Sequence, residues 1–259
     1  MIHNEMDPQN EIRRLWSEAV AQSRGLLQEL QQLGIESLHL AEIPDDLPPC
    51  PPKVIGVDQG GATPCRQETL EEIRQDLGEC SRCALSKGRQ QIVFGVGNPK
   101  ARLVLVGEAP GREEDERGEP FVGEAGRLLD KILAAMGLMR DDVYICNVQK
   151  CRPPSNRDPK SEEIAACQPF LRRQLAAIRP DVIISLGRFS SQILLETAAP
   201  VGRLRGQWRR CEGVDLMPTF HPAYLLRNPL GKREVWEDMK LVMARLRSPA
   251  GGQSDGDRP

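Results

Sequence analysis

Aromatic residues are scarce in this 259-residue chain, with five Phe, three Trp and two Tyr, and histidines number only three. No apolar run approaches the roughly 20 residues that a membrane-spanning helix requires. The stretch Met1 to Asn10 is polar and acidic and lacks the apolar segment of a secretory signal, so a cytosolic, reducing compartment is expected. A basic excess is missing too: 35 Lys and Arg stand against 37 Asp and Glu, a net charge of −2 that on its face argues against a nucleic-acid partner. No internal repeat is present. The remaining balance, 39% hydrophobic and 28% charged, suffices to bury a core.

The bulk charge hides a division. Residues 1–69 hold 5 basic and 11 acidic residues, a net of −6, whereas residues 70–259 hold 30 basic and 26 acidic residues, a net of +4. Of those 30 basic residues 23 are Arg, which suits planar, bidentate contacts to phosphate but serves equally in ordinary surface ion pairs. Within the acidic part, Ile12, Leu15, Trp16, Ala19, Leu26, Leu27 and Leu30 fall near one helical face. Pro44, Pro48, Pro49, Pro51 and Pro52 then mark an extended linker. The expected layout is an N-terminal helical extension over 1–43, a Pro/Gly-rich linker over 44–69, one folded domain over 70–247 and a disordered tail over 248–259.

From residue 70 the pattern alternates. Apolar runs at 103–106, 143–148, 182–186 and 216–220 read as strands, and helical periodicity covers 124–137, 161–178, 188–197 and 231–247. Strands alternating with helices indicate an α/β domain with a parallel sheet covered on both faces, and such sheets bind ligands beyond the carboxyl ends of their strands. The residues that follow each strand are therefore the candidates for chemistry. After the first run, Gly107-Glu108-Ala109-Pro110-Gly111 forces a tight turn that brings backbone amides close to a ligand. Soon after, Gly118-Glu119-Pro120-Phe121-Val122-Gly123 sets a scarce aromatic in a Gly-flanked loop, as a plug over the sheet end or a stacking platform for a flat ligand. Asn147, at the end of the second run, offers a donor and an acceptor to a heterocycle edge, or stabilises a turn. His221 follows the last run, and it is the only histidine beyond His39.

Eight cysteines complete the pattern. The pair Cys80 and Cys83, in a CxxC spacing, together with Cys151 and Cys167 can close a four-thiolate site for zinc or an iron–sulfur cluster. Zinc ribbons use two CxxC pairs, and the wide second pair here favours a cluster. Cys146 lies in an apolar run and reads as core, while Cys50, Cys65 and Cys211 have no partner spacing.

In order along the chain, CSRC, GEAPGREED, GEPFVG, NVQKCRPPSNR, Cys167 and HPAYLLR resemble the family 4 uracil-DNA glycosylases, the iron–sulfur branch of that superfamily. The resemblance runs from about Leu77 to Leu246. It implies a three-layer α/β/α fold with a four-stranded parallel sheet, and hydrolysis of the N-glycosidic bond of uracil in DNA, which starts base excision repair. It implies a structural 4Fe–4S cluster on Cys80, Cys83, Cys151 and Cys167. The implied roles are Glu108 for positioning or activating the attacking water and His221 for donating to uracil O2 as charge develops there. Uracil itself would be held by Ala109, Glu114, Phe121, Asn147 and His221, with Glu114 excluding the thymine methyl. Leu225, with Leu226, Arg227 and Asn156, would fill the gap left by the flipped base and hold the DNA. In the best-known uracil-DNA glycosylases an Asp follows the residue matching Glu108; here it is Ala109, which leaves the water-activating residue open.

The expected partner is uracil-containing DNA, single- or double-stranded, met by a monomer in the prokaryotic cytosol near the nucleoid, with no membrane. The extension would bind a repair or replication protein. A catalytically silent iron–sulfur DNA-binding module is one alternative, and a hydrolase of free nucleosides is another. Retention of Glu108, Asn147 and His221 speaks against the first, and the Leu225-Leu226-Arg227 run against the second.

Overall fold

The computed structural model describes residues 68–247. The helix, the tail and nearly all of the linker expected from the sequence lie outside the described residues. The domain begins with helix α1 (Leu70–Leu77), started by a capping box. Thr69 Oγ1 accepts the Glu72 amide at 3.2 Å, and Glu72 Oε2 accepts the Thr69 amide at 2.8 Å. Its buried residues, Ile73 and Leu77, pack with Ile92 and Phe170 in a small satellite core.

Six strands form one mixed sheet: β1 (Val96–Gly97), β2 (Leu103–Gly107), β3 (Tyr144–Asn147), β4 (Val182–Leu186), β5 (Arg209–Cys211) and β6 (Val214–Thr219), in the order β1-β3-β2-β4-β6-β5. The inner four are parallel, as the sequence pattern predicts, and β1 and β5 flank them antiparallel. The expected four-stranded sheet is thus the centre of a six-stranded one. Neither edge strand carries an apolar run: β1 is a two-residue Val-Gly pair, and β5 opens with two exposed arginines. Edges this short, one of them also charged, resist pairing with other chains.

Alternation within the strands builds two cores, because successive side chains point to opposite faces. Leu103, Leu105, Ile145, Ile184 and Met217 meet α3 (Glu124–Ala135) and α8 (Gly231–Arg247) through Leu129, Leu133, Val235, Met239 and Val242. Val104, Val106, Cys146, Ile183 and Leu216 meet α4 (Ser161–Ile178) and α5 (Arg188–Leu194) through Leu171, Leu175, Ile178 and Leu194. The result is a three-layer α/β/α domain. Each of these fully buried aliphatic side chains contributes about 1.5–3 kcal/mol. Short helices α2 (Arg112–Arg117), α6 (Val201–Leu204) and α7 (Pro222–Arg227) occupy stretches in which the periodicity is too brief to register.

The chain runs from β2 to β3 on one side and then crosses to β4 on the other side of β2. That reversal opens a crevice at the carboxyl end of β2, where ligands of such sheets bind. On the far side, Asp238 of α8 is fully buried and accepts from Thr219 Oγ1 at 2.6 Å and from Arg205 Nη2 and Nε at 2.7 and 3.1 Å. It fixes the last residue of β6, two positions before His221. Asp238→Ala strands the Arg205 guanidinium without its buried partner, a loss of about 3–5 kcal/mol. Thermal unfolding should show a fall in Tm of roughly 10 °C or more; an unchanged Tm would show that the pair carries no stability.

Candidate active site

The residues that follow three parallel strands converge on one cavity of about 380 Å3. Its lining includes Glu108 and Ala109 after β2, Asn147 at the end of β3, and His221 after β6, together with Glu114, Phe121, Asn156, Arg157, Tyr224 and Arg227. The backbone of β3 stays paired past its end, since Val148 and Gln149 donate to the carbonyls of Gly107 and Glu108 at 3.0 Å each. Asn147 and Glu108 are thereby held side by side.

Asn147 is 2% exposed, and its Oδ1 has no hydrogen-bond partner among the described residues. An unpaired buried acceptor costs about 1–3 kcal/mol, so this amide is set to receive a donor from a ligand. A Cβ at Gly107 would overlap both Asn147 Oδ1 and the Phe121 ring, so only glycine leaves room for these groups at the end of β2. Phe121 is buried, with its ring stacked on that of His221 at 5.4 Å between centroids and 28° between planes.

His221 caps α7 with its own side chain: Nδ1 accepts the Ala223 amide at 3.1 Å. In the neutral ring the proton therefore sits on Nε2, which is a donor. Burial lowers its pKa from 6.5 to about 4, with Arg227 acting in the same direction and Glu114 opposing. Glu108 moves the other way. Burial, reinforced by the negative charge of Asp158 and opposed by Arg188, raises its carboxyl pKa to about 7. Asp158 and Arg188 pair at 2.8 Å. The cavity thus joins a carboxyl poised near neutrality with an imidazole that stays uncharged there.

Glu114 holds the loop that carries Phe121, its Oε1 accepting the amides of Val122 and Gly123 at 2.9 and 3.0 Å. Asn156 sits exposed at the cavity rim, and its Oδ1 accepts from Arg152 Nε at 2.9 Å. Leu225 departs from expectation. It is 1% exposed, packs in the core with Leu129 and Leu133 and does not line the cavity. Its neighbour Leu226, 43% exposed, faces outward with Arg227. A six-residue helix turns a different side chain inward at each position, and the run Leu225-Leu226 reads the same whichever one is buried.

Two contributors stand outside the site residues expected from the sequence, although Arg157 closes the NVQKCRPPSNR run. Arg157 lines the cavity and is held by Glu163, which is buried and pushed down to about 2 by that guanidinium. Arg188 follows β4 after Gly187, and the rule of looking after each strand would have found it.

Of the cysteines, Cys80 and Cys83 are half-buried after α1, while Cys151, after β3, and Cys167, in α4, are buried. Burial pushes the thiols of Cys151 and Cys167 up from their ordinary value, and Arg89 opposes this at Cys151. Arg89 Nη1 donates to the Cys80 carbonyl at 2.6 Å and to Cys151 Sγ at 3.5 Å. Among the described residues, no three or more His, Cys, Asp or Glu side chains converge as ligands of one metal ion. Cys146 and Cys211 are buried in the second core. No helix among the described residues is long and apolar enough to cross a membrane.

Residues 94–240 match the family model described as the Uracil DNA glycosylase superfamily. A Type-4 uracil-DNA glycosylase of Archaeoglobus fulgidus is 46% identical over 183 residues, covering 68% of this chain and 92% of its own length. A Type-4 uracil-DNA glycosylase of Thermotoga maritima is 45% identical over 188 residues, covering 70% and 97%. One from Saccharolobus solfataricus is 42% identical over 190 residues, covering 70% and 88%.

With three histidines in the chain, the ring resonances of His221 can be followed by NMR. Its midpoint should lie about 4, and a midpoint near the ordinary 6.5 would show a solvated ring rather than a buried one.

Proposed function

The chain belongs to the uracil DNA glycosylase superfamily, and from that footing we propose that it extrudes uracil from DNA and hydrolyses its N-glycosidic bond, leaving an abasic site for base excision repair. The observation that carries this reading is the buried, unpaired Oδ1 of Asn147, in one cavity with Glu108, Phe121 and His221. Uracil presents N3–H and O4 along one edge. Asn147 Oδ1 accepts the first and its amide nitrogen donates to the second. Cytosine presents the reverse pattern and leaves both groups mismatched, a penalty that buried polar groups make large.

The base enters against the Phe121 ring, with the Ala109 turn at its edge. Glu114 stands where a methyl on C5 would collide. As the glycosidic bond lengthens, negative charge gathers on uracil O2 and positive charge on the sugar. His221, neutral with its proton on Nε2, donates to O2 and stabilises the leaving anion without an imidazolium. Glu108, once ionised, takes a proton from the attacking water and offsets the positive sugar. Leu226, in place of the core residue Leu225, fills the vacated stack. Arg227 and Asn156 hold the adjoining phosphates.

Cys80, Cys83, Cys151 and Cys167 suit an iron–sulfur cluster: four thiols, two of them buried, with a guanidinium beside one to offset thiolate charge. Thiolates on a single zinc, each about 2.3 Å from it, crowd together far more closely than those around a polynuclear cluster. The wide spacing of the second pair, Cys151 and Cys167, suits the larger group better than a zinc ribbon's second CxxC. When bound, the cluster would cross-link three distant segments of the chain and supply no redox step.

An oligonucleotide with one uracil, treated with alkali after incubation, should break at that position. Glu108→Gln and His221→Ala should each lower the rate by about 10²–10⁴-fold while DNA binding persists. Wild-type activity should fall as pH drops through about 7, where Glu108 gains its proton, and Glu108→Gln should lose that limb. DNA bound but left intact by the wild type would mark a silent binding module, and cleavage of free deoxyuridine alone would mark a nucleoside hydrolase.

Purified protein should carry iron and sulfide and absorb in the visible range. Cys151→Ser should lose the iron and melt earlier. A colourless, zinc-loaded wild type with full activity would sink the cluster assignment.

A further inference from the structure

The Phe121 platform is held by a residue that the reaction itself does not use. Phe121 has a left-handed backbone (φ 56°), a conformation that a bulky side chain keeps only when its surroundings impose it. Arg140 supplies much of that constraint. Its Nη2 donates to the Pro120 carbonyl at 2.6 Å, and its Nη1 donates to the Phe121 carbonyl at 3.1 Å and to Asp130 Oδ1 at 2.8 Å. On the other side of the same loop, the Val122 and Gly123 amides are taken up by Glu114. Helix α3 closes the remaining side at Gly126, where a Cβ would overlap the Phe121 carbonyl.

We propose that Arg140 is a positioning residue for base binding, clamping Pro120 and Phe121 so that the Phe121 ring stays fixed beside His221 at the cavity wall. The planar guanidinium has five donors in a rigid fork, which lets it serve two carbonyls and a carboxylate together; an ammonium holds them less rigidly. Arg140 also lies in the 3-10 turn Arg140–Asp142 that leads into β3, the strand ending at Asn147. The clamp therefore sets the stacking surface and the base-reading amide in one frame, from a side chain only 29% exposed. This inference rests on the reading of the cavity as a uracil site.

The consequence is for binding rather than for bond cleavage. A loosened Phe121 weakens the hold on the base, while Glu108 and His221, which have no hydrogen bond to Arg140, keep their chemistry. The test compares wild type with Arg140→Gln, Arg140→Lys and Asp130→Asn. It measures KM and kcat on a single-stranded uracil oligonucleotide, the inhibition constant of free uracil, and hydrogen exchange of the Val122 and Gly123 amides. Arg140→Gln should raise KM and the uracil inhibition constant by about tenfold or more and change kcat by less than about threefold. It should also speed exchange of the two amides. Arg140→Lys should recover part of each effect, and Asp130→Asn should move them in the same direction by less.

A lower Tm in Arg140→Gln with KM, uracil inhibition and amide exchange unchanged would make Arg140 a structural staple only and overturn the proposal. If Arg140→Gln does not fold, unchanged values in both Arg140→Lys and Asp130→Asn overturn it equally. Failure of the wild type to cleave the oligonucleotide would instead sink the function reading. Amide exchange then decides whether the clamp exists, and without faster exchange in the variants the proposal falls as well.

Discussion

Parallel pairing leaves the carboxyl ends of β3, β2, β4 and β6 at one edge of the sheet, and the cavity is made from what the chain does on leaving that edge. Strand β2 lies between β3 and β4, so the connections depart in opposite directions around it and cannot close over its end. Glu108 emerges there, with Asn147 beside it through the continued pairing of residues 148–149 with 107–108. The two cores, one on each face, lock the register on which this placement depends: a slip of one residue would exchange Leu103 and Leu105 for Val104 and Val106 and turn each layer inside out.

Burial acts on the two titrating groups of the cavity in opposite senses, and that opposition makes the site workable. Removing water disfavours whichever form is charged, so the Glu108 carboxyl moves up to about 7 and the His221 imidazole moves down to about 4. A single physical cause thus yields a carboxyl poised near neutrality and an uncharged imidazole. The donor's orientation comes from the backbone: the Ala223 amide occupies Nδ1 and leaves the proton on Nε2. The same low-dielectric surroundings make the unpaired Asn147 Oδ1 expensive in the free protein, a cost that a donor from a ligand would relieve.

Much of the fold is legible in the sequence. The runs at 103–106 and 182–186 became strands almost residue for residue, and the helix expected over 161–178 has those same bounds. The two strands are apolar throughout and buried on both faces, and the helix is long enough to show its periodicity, so local pattern and tertiary environment agree. Edge strands β1 and β5 were invisible because each is two or three residues long and defined by its partner rather than its own composition. The placement of Leu225 in the core belongs to the same class: which of two adjacent leucines faces inward depends on where α3 and α8 lie against α7.

The sequence by itself determined the α/β class, the four parallel strands, the identity of the residues after each strand and the four-cysteine pattern. These follow from periodicity and spacing, which are local properties of the chain. Tertiary structure alone decided that Glu108 and His221 carry opposite pKa shifts, that Asn147 Oδ1 has no partner among the described residues, that Arg157 lines the cavity and that Arg140 holds the Phe121 loop. Each of these depends on burial or on contact between residues far apart in the chain. Desolvation and hydrogen-bond geometry exist only once those segments have been brought together.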